Sequence, residues 1–330
     1  EMTSSLVGSE MCIRDRGYAK YVVILGGPFT VLNTLLANLI RAEGSAALAS
    51  FGVSLGGIIN IILDPLFVLP QFIGLGAIGA GMATALSNVL ATAFFLLSLY
   101  RMRKSSVIHI NPQYLRYAKM HLKSILSVGF PSAVQYALTV VAIAAQAKFV
   151  SKYATEAVAA LGIVKKLDQL PLYFSIGVSS GLLPLLAYNY ASGNQIRRRK
   201  SFRFGCMISF SFSMLCLICY ELFAPQLSAL FIEDATTIAY SAGFLRRMVT
   251  AMPMMSLCYP LIIQFQAMGK ARESLVCSIL RKGVLDIPLL FLMDTLLPLY
   301  GCMWVQPMVD GISLVAATAF YRRLRRRGEA

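Results

Sequence analysis

The chain has 330 residues, 57% of them hydrophobic and 14% charged, with a formal net charge of +15. A mean hydropathy of +0.68 excludes an ordinary soluble domain and points to a polytopic membrane protein. The basic residues stand in short blocks between apolar runs, so positive-inside topology accounts for the charge and no nucleic-acid partner is expected.

In chain order, residues 1–16 share neither the composition nor the periodicity of the remaining chain, and they lack the apolar core of a signal peptide. Their string GSEMCIRDR resembles a translated sequencing adapter, so this segment is read as non-native. Apolar runs then predict membrane helices over 21–40, 46–69 and 70–100, the last with a Gly-rich turn before Gly79. These three helices make a partial N-lobe, 17–100. A polar connector, 101–123, holds both histidines and a series of basic residues without an acid. Further spans are predicted over 124–147, about 161–190, 204–220 with an apolar continuation, and 248–269. Two weaker ones follow over 274–292 and 301–321. Residues 124–321 would thus form a six-helix C-lobe, ending in a basic tail, 322–330. The fold class is all-α, a polytopic membrane protein with nine predicted transmembrane helices. The basic blocks place the connector and the C-terminus on the cytoplasmic side of the cell membrane. The cysteines have no metal-ligand spacing. Cys206, Cys216, Cys219, Cys258 and Cys277 lie in apolar segments and are read as buried packing thiols.

The run 46–69 holds one ionisable group, Asp64. A carboxylate inside such a run costs about 3 kcal/mol on insertion scales, so it is expected to face a polar cavity and to carry function. Asn60 lies one helical turn earlier and shares its face. Pro65 cannot donate to the carbonyl of Ile61, which leaves an acceptor beside the pair. Together these oxygens suit a small cation, a proton or sodium.

A shift of 225 residues lays PFTVLNTLLANLIRAEGSA over PMMSLCYPLIIQFQAMGKA, with Pro28 on Pro253 and Gly44 on Gly269. Copies six spans apart run parallel, as in two lobes related by an axis along the membrane normal. This repeat predicts a plan of six plus six helices in which the first three are missing here.

Between about residues 18 and 324 stand GGPF with LIRAEG, NIILDPLFV, GAIGAGMATALSNV, VGFPSAVQ, YNYASGN, FQAMGKA, RKGVLDIPL and WVQPMVD. In these pieces, which follow the order of helices four to twelve, the chain resembles the multidrug and toxic compound extrusion (MATE) family, in its bacterial DinF-like branch. The resemblance implies a cation-coupled antiporter that exports cationic or amphipathic organic compounds by alternating access, as a monomer in the plasma membrane and without a cofactor. It implies a cation site made by Asn60, Asp64 and Thr84. The family's first-helix aspartate has no counterpart here, so a chain truncated in this way is expected to be inactive in transport. Where some relatives carry a glutamate on the seventh helix, this chain offers Gln135.

Gln135, Tyr136, Lys165, Asp168, Met255 and Gln264 are candidates for a substrate cavity, as are Met82, Tyr173, Met252 and Tyr259. Snorkelling accounts equally well for Lys165 and Lys166, with Asp168 on the face of Lys165. Arg281, Lys282 and Asp286 read first as structural, with Arg281 and Asp286 as a pair, and Asp310 as the mark of a kink. The alternative function is a lipid-linked saccharide flippase with the same two-lobe plan, which needs a cationic cavity. Neither a Ser/His/Asp arrangement nor HExxH is visible, so an enzyme is not expected.

Overall fold

The computed structural model describes residues 18–104, 106 and 118–327. The adapter-like segment, most of the connector with His109, the last three residues of the tail and the side chains of His121, Gln135 and Lys282 lie outside the described residues. Every described element is helical. The chain divides into two compact units, Glu1–Leu115 and Arg116–Ala330, with the division inside the predicted connector.

The first unit holds a π-helical turn Lys20–Gly26, then α1 (Gly27–Ala42), α2 (Ala46–Val68) and α3 (Gly76–Met102). The helices pack closely because small residues let them. A Cβ on Gly79 would collide with the carbonyl of Phe67, and one on Gly52 with the ring of Phe95. Leu36, Ile40, Ala49, Phe95 and Leu99 form the buried core of this unit. Thr92 Oγ1 ties α3 to α1 by donating to the carbonyl of Phe29 at 3.2 Å.

The second unit holds α4 (Ala118–Val150), α5 (Thr155–Ala191), α6 (Gln195–Ala229), α7 (Ala235–Met248), α8 (Met252–Ala267), α9 (Ala271–Ile279), α10 (Asp286–Leu296) and α11 (Gly301–Arg326). α8 is central, packed against α5, α6 and α11.

Among the described residues six helical segments are long and apolar enough to cross a bilayer: 20–42, 46–68, 76–102, 155–191, 195–229 and 235–267. Three of them, 155–191, 195–229 and 235–267, begin well before the predicted starts. The segment 235–267 is one helical run through a 3₁₀ turn at Val249–Ala251, although it carries the basic pair Arg246 and Arg247. The helix absorbs both charges. Arg247 Nη1 donates to the carbonyl of Gly243 at 2.6 Å and its guanidinium stands 4.0 Å from the Tyr300 ring, while Arg246 lies 3.5 Å from Glu221. Asp234 starts the run as N-cap, accepting from the Thr237 amide at 2.8 Å. α6 likewise takes the basic block Arg197–Lys200 into its first turns. Segment 274–292 is broken by a π-helical turn, Leu280–Val284, which carries Arg281. Of the predicted packing thiols, Cys216, Cys258 and Cys277 are buried and Cys206 and Cys219 half-buried.

The repeat is visible bond by bond. α1 and α8 are both 16 residues long, with proline in the first turn, and their ends close identically. Glu43 N donates to Leu39 O (3.2 Å) as Met268 N does to Gln264 O (3.1 Å). Gly44 N donates to Arg41 O as Gly269 N does to Gln266 O, both at 3.0 Å, and Ser45 N to Ile40 O (3.2 Å) as Lys270 N to Phe265 O (2.9 Å). This is a Schellman closure, and it needs the left-handed backbone of Gly44 (φ 86°) and Gly269 (φ 70°).

Candidate functional site

Asn60 and Asp64 leave α2 on one face and meet Thr84 of α3. Asn60 Nδ2 lies 3.5 Å from Asp64 Oδ1 and 3.4 Å from Thr84 Oγ1, and all three side chains are half-buried. Thr84 spends its proton on the carbonyl of Ala80 at 2.9 Å, so its oxygen faces the other two residues as an acceptor. Asn88 Nδ2 and Ser87 Oγ hold the Thr84 carbonyl from one turn on, at 3.0 and 2.9 Å. Among the described residues no basic group pairs with Asp64. Pro65 lies inside α2 directly after Asp64. The result is a cluster of a carboxylate, an amide and a hydroxyl with oxygens to spare, held by two long hydrogen bonds that a cation could replace at little cost.

The second unit treats its acids differently. Arg281 Nε stands 2.9 Å from Asp310 Oδ1, with the two side chains 2% and 0% exposed. Gln306 Nε2 donates to the other carboxylate oxygen at 2.8 Å, and the Arg281 guanidinium lies 4.0 Å from the Tyr259 ring. The expected pairing of Arg281 with Asp286 is thus corrected, as is the reading of Asp310 as a mere kink marker. The acid that takes Arg281 comes from the facing helix α11, because the π turn aims Arg281 across the bundle rather than along its own helix.

Asp286 instead lines a small recess with Lys165, Thr139, Gln146 and Gln306. Gln146 and Gln306 were missed from sequence, although Gln306 stands four residues before Asp310, the spacing by which Asp64 picked out Asn60. Gln146 Nε2 donates to the carbonyl of Cys302 at 2.9 Å and fixes α4 to α11. Of the other cavity candidates, Asp168 is half-buried outside this recess. Tyr136 is 75% exposed, and Met255, 3% exposed, is core. Gln264 is fully buried with both amide atoms unpaired. The structure therefore gathers Asn60, Asp64 and Thr84 into one cluster and does not gather Tyr136, Lys165, Asp168, Met255 and Gln264, while Gln135 lies outside the described residues.

Comparison with known proteins gives one answer. The MatE family profile matches residues 131–292. Multidrug export protein MepA of Staphylococcus saprophyticus is 30% identical over 306 residues, which is 93% of this chain and 66% of that protein. MepA of Staphylococcus aureus is 29% identical over the same length. The chain spans 66% of the length of these curated relatives. Among solved structures, an outward-facing multidrug resistance MATE family transporter of the MOP superfamily superposes with a TM-score of 0.81 at 23% identity, covering 95% of this chain and 69% of that one. A point mutant of the Vibrio cholerae MATE transporter VcmN gives 0.80 at 19% identity, covering 98% and 73%. The sequence motifs, the helical fold and these relatives agree, and the chain belongs to the MATE family.

Proposed function

We propose that this chain is the greater part of a cation-coupled antiporter that exports cationic or amphipathic organic compounds, with Asn60, Asp64 and Thr84 as the coupling-ion site. The observation that carries the reading is the Asp64 cluster: a carboxylate in a largely apolar span, touched by an amide but paired with no base among the described residues. The export role of the MepA relatives supports the direction and the substrate class. In this reading the full plan is two six-helix lobes, of which nine helices are present, with the C-terminus cytoplasmic. α4, the 274–292 segment and α11 are the spans beyond the six that stand out by length and hydropathy. The branch is read as DinF-like, and the working unit as a monomer in the bacterial plasma membrane.

A proton or a sodium ion entering from outside binds Asp64 and draws in the Asn60 and Thr84 oxygens. That changes how α2 and α3 pack, and the protein passes to a state that releases its organic cargo outward. Coupling requires the ion to bind the two states unequally, and a carboxylate whose neighbours can turn from donor to ligand supplies that inequality.

The test is efflux of a fluorescent organic cation from proteoliposomes that hold the full-length parent protein, under an imposed proton or sodium gradient. Asp64→Asn should abolish gradient-driven efflux while leaving the protein folded. Efflux that stays gradient-driven and undiminished would remove Asp64 from the mechanism.

A further inference from the structure

We propose that Arg198 anchors a phosphate-binding site at the basic end of the second unit, one that takes the phosphate of an anionic lipid headgroup or free phosphate. The inference is independent of the transport reading, since it rests on other residues and is tested by binding and stability.

Arg198 lies one turn into α6 and is 0% exposed. Its Nε and Nη2 are buried without a partner, and Nη1 rests only on the thioether of Met268, a weak acceptor. Among the described residues no carboxylate pairs with it. An arginine cannot shed its charge, so a fully buried guanidinium needs a counter-charge. The groups around it supply little. The Tyr190 ring stands 5.4 Å away near the end of α5, and the C-terminus of α8 at Met268 offers only the partial charge of a helix end.

The internal repeat shows what is missing. Position 268 corresponds to position 43, and the two residues close their helices with the same hydrogen bonds. The first unit has an acid there, Glu43, whose Oε1 accepts from Ser106 Oγ at 2.6 Å. The second unit has methionine in the same place, pressed on an arginine. Among the described residues no acid pairs with Arg198 at this corner, and in this proposal the counter-charge is an external anion.

The geometry selects the anion. Nε and Nη2 are the side-on fork of a guanidinium, two parallel donors whose spacing matches two oxygens of a phosphate. Met268 is a flexible thioether that can swing aside to admit one. The surroundings are basic: Arg197, Arg199, Lys200 and Arg203 flank Arg198 on α6, and the Phe202 ring packs 5.8 Å from that of Tyr321, which precedes the arginines at the end of α11. Such a corner attracts anionic headgroups at a membrane surface.

The experiment uses the full 330-residue chain in detergent. Its thermal unfolding is followed during titration with phosphatidylglycerol, with phosphatidylcholine and with inorganic phosphate, and native mass spectrometry counts bound lipid. The unsubstituted protein should be stabilised by phosphatidylglycerol and not by phosphatidylcholine. Phosphate alone giving the same shift would identify the free anion as ligand and equally support the site. Arg198→Gln should remove the response. Arg198→Lys, which keeps charge but loses the fork, should weaken it about tenfold. Met268→Glu restores the acid found in the other repeat, so it should raise the unfolding temperature without lipid and abolish the response. That variant decides the matter if Arg198→Gln does not fold. An undiminished response in Arg198→Gln, or a Met268→Glu protein no more stable than its parent and still responsive, would overturn the proposal, as would indifference of the unsubstituted protein to both ligands.

Discussion

Asp64 in the first unit and Asp310 in the second are both acids within largely apolar helices, and they are held in opposite ways. Asp310 is fully buried, bound by Arg281 at 2.9 Å and by Gln306 at 2.8 Å. Asp64 is half-buried, with the Asn60 amide at 3.5 Å and no base among the described residues. An acid already neutralised by an arginine is closed to a visiting ion, because the ion would have to displace a desolvated partner. An acid held only by an amide is open to one. The difference separates a charge that is matched within the fold from one left open, which is the proposed role of Asp64.

The largest effect should come from breaking the closed pair. Arg281→Ala leaves Asp310 buried and unmatched, a loss of about 3–5 kcal/mol that should collapse the yield of folded protein or its unfolding temperature. Replacing both partners with apolar residues should recover most of it. If Arg281→Ala unfolds at the parental temperature, the contrast between the acids fails.

Gly301→Ala should follow. Its Cβ would collide with the carbonyl of Met293, so the α10–α11 junction that seats α11 must shift, at about 1–3 kcal/mol in thermal unfolding. An unchanged unfolding temperature would mean that Asp310 does not depend on that close approach.

The open acid should respond in ion affinity and not in stability. Thr84→Ala removes one neutral oxygen and is expected to weaken the apparent coupling-ion affinity about fivefold to tenfold, with little change in unfolding temperature. The reverse pattern would make the cluster a packing device. The smallest effect belongs to Asp234, whose carboxyl is held down at about 2, against an ordinary 3.8, first by the Thr236 hydroxyl and then by the Thr237 hydroxyl and amide. Since the folded form favours the charged acid, its contribution is present above about pH 4 and lost as pH falls through about 2. Asp234→Ala should remove only this slight, acid-sensitive part of stability.

The parts of the protein that a sequence announces are those governed by local rules. Asn60 and Asp64 share a face because four residues make about one turn, and Thr84 joined them through the family motif. The proline and glycine of the repeat foretold both α1 and α8 and their closures, since only glycine accepts that backbone. Partnerships across the bundle were not legible. Arg281 finds Asp310 and not Asp286 because a π turn re-aims it, and a π turn has no residue signature. The helix start at Ala235 was hidden because Arg246 and Arg247 look like a loop until Glu221 and Tyr300 are seen beside them. The six cavity candidates were chosen by residue type, which does not say which side of a helix faces a recess.

The most direct test of the central claim is infrared difference spectroscopy of the purified protein on adding sodium or lowering pH. Asp64 binding the coupling ion predicts a carboxyl band that changes with the ion and is missing in Asp64→Asn. The same difference spectrum in both proteins would contradict it.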